Sequence, residues 1–237
     1  MSRFVDDTAG HPDLVDAAPL HIEHLDVEPV HVHLFSNGRH ASEMRQQEST
    51  HGLKALTVDL DVHNGNGTAA IFPPKTRIGH PLPSASASRR DVHEVGPAVH
   101  TSGDGELEVF TISLHQAHNY PAYKPPSSID VHLPDATNDE EYLGWLDQAL
   151  SSAFRHFSPQ LICYIAGADP YKEDQLGGLA LTIEGLKKRD ELVLRVAKAH
   201  GVPAMITYAG GYARRVEDTV TIHCNTVVAA KEVCESP

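Results

Sequence analysis

The fold of this chain is constrained most by strand-like segments that are apolar almost throughout. These segments stop at charged residues or glycines. Residues 161–168 form one such segment and end at Asp169, and residues 203–208 form another that ends just before Gly210. A strand without a clearly polar face is typical of a parallel sheet that is covered by helices on both sides. The sequence therefore predicts an α/β fold with a mainly parallel sheet.

Two further strands are predicted earlier in the chain. One covers residues 56–63, where apolar and polar side chains alternate, and the other covers residues 108–114 and closes at His115. Alternation places every second side chain on the same face of a strand. One face of the first strand therefore carries Leu56, Val58, Leu60 and Val62, and the other carries Thr57, Asp59, Asp61 and His63.

Three helices are predicted between and after these strands. Asn138 and Glu141 have the spacing of a capping box at the start of the first helix. The second helix is expected to begin after Thr182 and to end near Gly201, and the third covers about residues 218–232. This alternation of strands and helices indicates an open α/β sheet.

Two segments lack this regularity. Residues 1–50 are rich in histidine and interrupted by proline, and we interpret them as an irregular N-terminal segment. A Pro- and Ser-rich stretch at about residues 73–106 is too long for an ordinary connection, so we interpret it as a surface insertion or as misassigned coding sequence. We predict one regular domain over residues 51–237 that contains this insertion.

Charge and hydropathy exclude two classes of protein. Lys and Arg total 19 against 32 Asp and Glu, giving a formal net charge of −13, whereas nucleic-acid binding needs clustered basic residues. The short basic run Lys187-Lys188-Arg189 is predicted to lie on a solvated helix face. No apolar run reaches the ~18 residues of a membrane span, and no segment resembles a secretion signal. We expect an intracellular, cytoplasmic protein that binds neither nucleic acid nor membrane.

Polar side chains at the ends of the predicted strands indicate a metal site. The carboxyl ends of parallel strands meet at one edge of the sheet, and Asp61, His63 and Asp169 all fall there. Two carboxylates and an imidazole match the three protein ligands of a catalytic zinc site, which keeps a fourth position open. In the alternative interpretation, Asp169 caps a helix or a turn and residues 59–63 form a hydrogen-bonded polar cluster.

Several motifs, taken in order, resemble the histone deacetylase superfamily, which includes acetoin-utilisation proteins and acetylpolyamine amidohydrolases; the similarity is greatest to its bacterial-type branch. The similar stretches cover roughly residues 53–72 and 107–232. The matching motifs are Asp59-Leu60-Asp61-Val62-His63-Asn64-Gly65-Asn66-Gly67-Thr68, Phe110-Thr111-Ile112-Ser113-Leu114-His115, Ala166-Gly167-Ala168-Asp169-Pro170, Asp174-Gln175-Leu176-Gly177, Leu186-Lys187-Lys188-Arg189-Asp190 and Gly210-Gly211-Tyr212-Ala213.

This resemblance implies a three-layer α/β/α arginase/deacetylase-like fold whose N-terminal part is incomplete or divergent in this chain. It also implies that Asp61, His63 and Asp169 hold Zn²⁺, which polarises an acetamide carbonyl and activates a water molecule. Tyr212 is expected to donate its hydroxyl to the developing oxyanion. The implied reaction is hydrolysis of an acetylated lysine or amine, so the expected substrates are acetylated proteins, peptides or polyamines.

The same resemblance implies supporting roles close to the zinc ligands. Asp59, Ser113 and the carbonyl of Leu114 are expected to form a structural site for a monovalent cation, K⁺. Gly210 and Gly211 are expected to let the backbone approach the cleft closely, because glycine has no Cβ atom.

The chain departs from the family in one respect. The family's general base is a pair of adjacent histidines that precedes the Asp-x-His strand, and this sequence contains no two adjacent histidines. Three interpretations follow. The chain is an active zinc-dependent deacetylase with another base, an inactive relative that keeps the metal site and binds a ligand or partner, or a truncated or misassembled gene product.

Overall fold

The structure is a computed structural model that describes residues 52–79 and 107–236. Its strands are β1 (Lys54–Asp59), β2 (Glu108–Gln116), β3 (Ile129–Leu133), β4 (Leu161–Gly167) and β5 (Ala204–Ala209). Its helices are α1 (Asn66–Ile71), α2 (Asp139–His156), α3 (Ile183–Ala199) and α4 (Val216–Glu235). The predicted N-terminal segment at 1–50, and residues 80–106 of the predicted insertion, lie outside the described residues.

The five strands form one parallel sheet in the order β3-β2-β1-β4-β5. The connections from β1 to β2 and from β2 to β3 move across the sheet in one direction, and the two later connections move in the other. By the rule that crossovers between parallel strands are right-handed, we expect α1 over one face of the sheet and α2 and α3 over the opposite face. The structure shows α2 in contact with β2 and β3, and α3 in contact with β4. α3 packs against both α2 and α4. The predicted three-layer α/β/α fold is therefore confirmed.

The hydrophobic core lies between the sheet and the layer of α2 and α3. Leu56 of β1 aligns with Phe110 of β2 and Ile162 of β4, and all three side chains are buried. The hydroxyl of Tyr164, on the same face as Ile162, donates a hydrogen bond to a carboxylate of α3. The helices contribute Tyr142, Leu146, Leu150, Leu186, Val193, Leu194 and Ile222 to this core.

The predicted helix boundaries agree with the observed caps. The N–H of Glu141 donates to Oδ1 of Asn138 over 3.1 Å, and the N–H of Asn138 donates to a carboxylate oxygen of Glu141 over 3.2 Å, so the capping box is present. Thr182 caps α3 by accepting the N–H of Gly185 at 2.9 Å. Among the helices that the structure describes, none has both the length and the hydropathy needed to cross a bilayer.

Two short elements were not predicted from the sequence. β3 alternates apolar Ile129, Val131 and Leu133 with Asp130 and His132, and its five residues lie at the edge of the sheet. α1 is a six-residue helix that starts with an asparagine and a glycine and has no side-chain cap. Both residue types are poor helix formers, so its sequence is more typical of a turn.

Candidate metal centre

Asp61 and His63 lie in the loop that follows β1. The N–H of Asp61 donates to Oδ1 of Asp59 over 3.2 Å, and the N–H of His63 donates to Oδ1 of Asp61 over 2.9 Å. Aspartates that bond the backbone two residues further on turn the chain. For this reason β1 ends at Asp59, and the prediction of a strand over residues 56–63 was too long.

Asp169 follows β4, the strand that pairs with β1. Its Oδ1 accepts the N–H of Val62 at 2.9 Å, which joins the two loops. Its Oδ2 is buried and accepts no hydrogen bond among the described residues, although Nδ1 of His63 lies 3.4 Å away. A buried carboxylate oxygen without hydrogen bonds is costly unless a cation compensates it. The orientation of Asp169 therefore fits a metal ligand.

Asp61, His63 and Asp169 together form a candidate metal site. One ligand atom from each residue can be chosen so that all three lie within 4.8 Å of one another. Asp169 is fully buried, whereas Asp61 and His63 are partly exposed, so the group is open to solvent on one side. Two carboxylate oxygens and one imidazole nitrogen suit a borderline cation such as Zn²⁺.

Glycines allow the backbone to pass close to these carboxylates. A Cβ atom on Gly210 would lie 2.0 Å from Oδ2 of Asp169, and one on Gly65 would lie 2.2 Å from Oδ2 of Asp59. The expected neighbour Gly211 has a different environment. Its backbone has a φ of 153°, and a Cβ atom there would lie 2.7 Å from Cγ2 of Thr219 in α4.

Crowded carboxylates and burial shift the ionisation of this group. The ion pair with Asp169 raises the pKa of His63 to about 9, with Asp61 adding to the effect against the opposing influence of burial. Burial raises the pKa of Asp59 to about 7 and that of Asp169 to about 6. The raised pKa values of Asp59 and Asp169 indicate that burial disfavours the ionised carboxylates, and a bound cation would favour that form.

The raised pKa of His63 predicts how the stability of the metal-free protein depends on pH. A histidine whose pKa rises from 6.5 to about 9 on folding stabilises the folded state fully below pH 6.5, and the contribution is lost as the pH rises through 9. We expect the free energy of unfolding of chelator-treated protein to fall by about 1 kcal/mol between pH 7.5 and 9.5, because solvent screening reduces the roughly 1.8 kcal/mol that the full shift would give. Urea denaturation across this range measures the fall.

His63→Gln is the matched variant, because it removes the titrating group and keeps a polar side chain. Asp59 and Asp169 have lower pKa values, so they are mostly ionised throughout this range. The variant should therefore lose much less stability as the pH rises. Parallel profiles for the two proteins would contradict the assignment of a raised pKa to His63.

The residues expected at a monovalent-cation site lie on two neighbouring strands. Asp59 of β1 and Ser113 of β2 occupy paired register positions and are both buried. The hydroxyl of Ser113 hydrogen-bonds Nδ1 of His115 at 2.9 Å and accepts the N–H of Gly65 at 3.4 Å. The side chain of Leu114 is fully buried.

Tyr212 is positioned through its backbone by the loop that contains Asp174. The N–H of Tyr212 donates to Oδ2 of Asp174 over 2.6 Å, and its carbonyl accepts the N–H of Gln175 at 3.1 Å. Oδ1 of Asp174 also accepts the N–H of Leu176 at 2.8 Å. The Tyr212 side chain is 57% exposed and follows Gly210 by two residues, so it lies on the solvent side of the loop.

Sequence reasoning did not predict two pairings of polar side chains near this site. Nε2 of His115 lies 2.9 Å from Nδ1 of His132, which belongs to the unpredicted strand β3. The second pairing is an ion pair between Arg189 and Asp190, both fully buried. The prediction that the basic run at 187–189 lies on a solvated face was wrong for Arg189. The spacing of this arginine from Leu186 and Val193 places it on the buried stripe of α3.

The fold and the site together define an α/β protein with a candidate metal site at the carboxyl edge of a parallel sheet. The sequence model of the histone deacetylase domain matches residues 40–227. The chain belongs to the histone deacetylase family.

Individual relatives support this assignment. An uncharacterized protein from Picosynechococcus sp. is 34% identical over 180 residues, which cover 76% of this chain and 50% of the relative. Histone deacetylase 2 of Arabidopsis thaliana is 30% identical over 174 residues, which cover 70% of this chain and 37% of the relative. The chain thus spans half or less of the length of these relatives.

A solved structure shows the same fold. The acetylpolyamine aminohydrolase of Burkholderia pseudomallei superposes with a TM-score of 0.53 at 19% sequence identity. The superposition covers 77% of this chain and 46% of the other.

Proposed function

We propose that this chain acts as a zinc-dependent deacetylase, which hydrolyses an acetylated lysine or another acetylated amine to a free amine and acetate. The observation that carries the proposal is the group of Asp61, His63 and Asp169 at the carboxyl edge of the sheet, where a buried oxygen of Asp169 accepts no hydrogen bond among the described residues. Membership of the histone deacetylase family supports this reaction class.

The three side chains of this group would hold the zinc ion. Bound zinc supplies Lewis-acid polarisation of the acetamide carbonyl and lowers the pKa of a water molecule. Asp169 would hold the ion through the oxygen that is not bonded to Val62, because its Oδ1 accepts the N–H of Val62 and fixes the orientation of the carboxylate. His63 would hold the ion as the neutral imidazole, so this residue would give up its proton when zinc binds.

Other residues of this chain are assigned supporting roles. We assign the Tyr212 hydroxyl to donate a hydrogen bond to the oxyanion that develops on the acetamide oxygen. Gly210 allows the backbone to run against Asp169, which leaves the open side of the group to the substrate. Asp59, Ser113 and the carbonyl of Leu114 are assigned to a structural K⁺ site behind the ligand loop.

The proposed substrates are acetylated proteins, peptides or polyamines. Relatives named as histone deacetylases and as an acetylpolyamine aminohydrolase support both groups. The formal charge of −13 favours cationic partners, because a strongly acidic protein attracts basic peptides and polyamines.

A second candidate function is ligand or partner binding without catalysis. The observation that favours it is the lack of two adjacent histidines in the sequence, since such a pair is the general base that the family resemblance implies. Loss of a positioned base typically costs about 10²- to 10⁴-fold in rate. Such a protein would keep the metal site and bind an acetylated ligand or a partner, and would show no turnover.

Hydrolysis of an acetyl-lysine peptide and of an acetylated polyamine by the zinc-loaded chain, with and without a hydroxamate chelator, tests the proposal. We expect turnover that the hydroxamate abolishes. Tyr212→Phe should retain zinc and lower the rate about 10²- to 10³-fold, because it removes one donor to the oxyanion. Tyr123→Phe is the matched control, since Tyr123 is also highly exposed and has no assigned role.

The outcomes separate the two candidate functions. A folded, zinc-containing protein without turnover on either substrate would favour the non-catalytic function. An unchanged rate in Tyr212→Phe, with the wild type active, would remove the assigned role of the Tyr212 hydroxyl.

A further inference from the structure

Arg189 connects the helix layer to the two strands that carry the metal-ligand loops. Its side chain is fully buried, and Nη1 donates to the carbonyl of Gly167 over 2.6 Å and to the carbonyl of Leu60 over 3.4 Å. Leu60 immediately precedes Asp61, and Gly167 precedes Asp169 by two residues. One nitrogen of the guanidinium therefore bonds the backbone beside both candidate ligand loops.

Asp190 balances the buried charge and orients the guanidinium. Oδ1 of Asp190 accepts Nε of Arg189 at 2.9 Å and lies 2.8 Å from its Nη2. The same carboxylate accepts the hydroxyl of Tyr164, and its Oδ2 accepts the hydroxyl of Thr226 at 2.7 Å. The carboxylate is thus held by β4 and α4, and it directs Nη1 towards the ends of the strands.

The planar shape of the guanidinium is essential to this arrangement. Arginine presents its nitrogens in a rigid plane, so Nε can bond Asp190, and Nη2 can lie beside the same carboxylate, while Nη1 bonds two carbonyls. A lysine ammonium carries the same charge on a flexible stem, but it cannot reproduce these separated directions. Replacing Arg189 with lysine therefore keeps the positive charge but changes the directions in which hydrogen bonds can be donated.

We propose that Arg189 is a positioning residue, which holds the carboxyl ends of β1 and β4 at the separation that Asp61, His63 and Asp169 need to bind one metal ion. This inference rests on the proposed function, because it assigns metal binding to that group. It adds a requirement that lies outside the ligands themselves, in a helix that follows all three of them in the chain.

Two variants test the proposal. Arg189→Lys keeps the charge opposite Asp190, and the double variant Arg189→Met with Asp190→Asn removes both charges while keeping similar volumes. The double variant covers the case in which the lysine variant does not fold, because a neutral replacement of a buried ion pair is often tolerated. Arg195→Lys is the matched control, since Arg195 lies on the same helix but is exposed and pairs with Glu191 at 3.1 Å.

Two measurements distinguish positioning from a merely structural role. The first is amide hydrogen exchange of residues 60–63 and 167–169 in the metal-free protein, compared with the core of α2. The second is zinc affinity, measured by competition with a chromophoric chelator. We expect faster exchange confined to the two loops and zinc affinity lowered about 10- to 100-fold, as for partners that orient metal ligands, with no change in Arg195→Lys.

The two measurements can overturn either the role of Arg189 or the proposed function. Variants that lose global stability but keep wild-type zinc affinity, and wild-type loop exchange relative to α2, would overturn the proposal. A wild-type chain that binds no zinc would overturn the proposed function instead. In that case the exchange measurement alone decides whether Arg189 holds the two strand ends.

Discussion

Replacing Asp169 with asparagine should abolish zinc retention. The side chain is fully buried, its Oδ1 accepts the N–H of Val62, and its Oδ2 has no hydrogen-bond partner among the described residues. Asparagine keeps the volume but loses the negative charge and gives one of these positions an NH₂ group. We expect affinity to fall by more than about 100-fold, beyond the effect of changing residues that only orient ligands. Zinc content after dialysis, together with a competition titration, measures the loss.

Asp147→Asn provides the comparison for this change. Asp147 is an exposed residue of α2, so the same chemical substitution there should leave zinc binding intact. Equal zinc content in wild type, Asp169→Asn and Asp147→Asn would remove Asp169 from the metal site and favour its alternative interpretation as a turn or capping residue.

Gly210→Ala should damage the same site without changing any charge. The added Cβ atom would lie 2.0 Å from Oδ2 of Asp169 and 2.7 Å from Oδ2 of Asp61. Because both atoms belong to candidate ligands, they must move apart to admit the methyl group. We expect zinc affinity to fall by more than about 100-fold and the free energy of unfolding to fall by about 1–3 kcal/mol. A chelator titration and urea denaturation measure these two effects.

Gly144→Ala is the control, since it adds the same methyl group elsewhere. Gly144 lies on α2 with no atom within 4 Å of the added Cβ position, and alanine is favoured over glycine inside helices. This variant should raise the free energy of unfolding by about 0.5–1 kcal/mol and leave zinc binding unchanged. Normal zinc affinity in Gly210→Ala would show that the ligands tolerate displacement. It would contradict the proposal that the site needs a glycine at position 210.

The sequence predicted the parts of the fold that have strong periodicity. The apolar segments that became β4 and β5 have the continuous pattern of buried parallel strands, and the capping residues Asn138 and Thr182 marked the starts of α2 and α3. β3 was missed because it has only five residues, and short alternating segments carry little signal. Strand order was not predicted either, since it depends on contacts between distant residues.

The candidate site was predictable where its residues lie at strand ends, and less so elsewhere. Asp61, His63 and Asp169 follow apolar segments, so their position at one edge could be inferred before the structure was known. Arg189 was wrongly predicted to face solvent because it follows two other basic residues, although its spacing in α3 places it among the buried residues. The domain limits of 51–237, with the insertion at about 73–106, remain a prediction.

The candidate ligands follow two strands that are neighbours in the sheet but far apart in the sequence, so they are synthesised at different times. The bond from the N–H of Val62 to Asp169 joins residues separated by 107 positions. At a translation rate of about 5–20 residues per second, the ribosome adds Asp169 roughly 5–20 s after Asp61 and His63. During that interval the nascent chain offers only two of the three donors. Under the proposed function, stable metal uptake would wait until β4 has been made and has docked beside β1, so metal binding would be a late step in the maturation of each new chain.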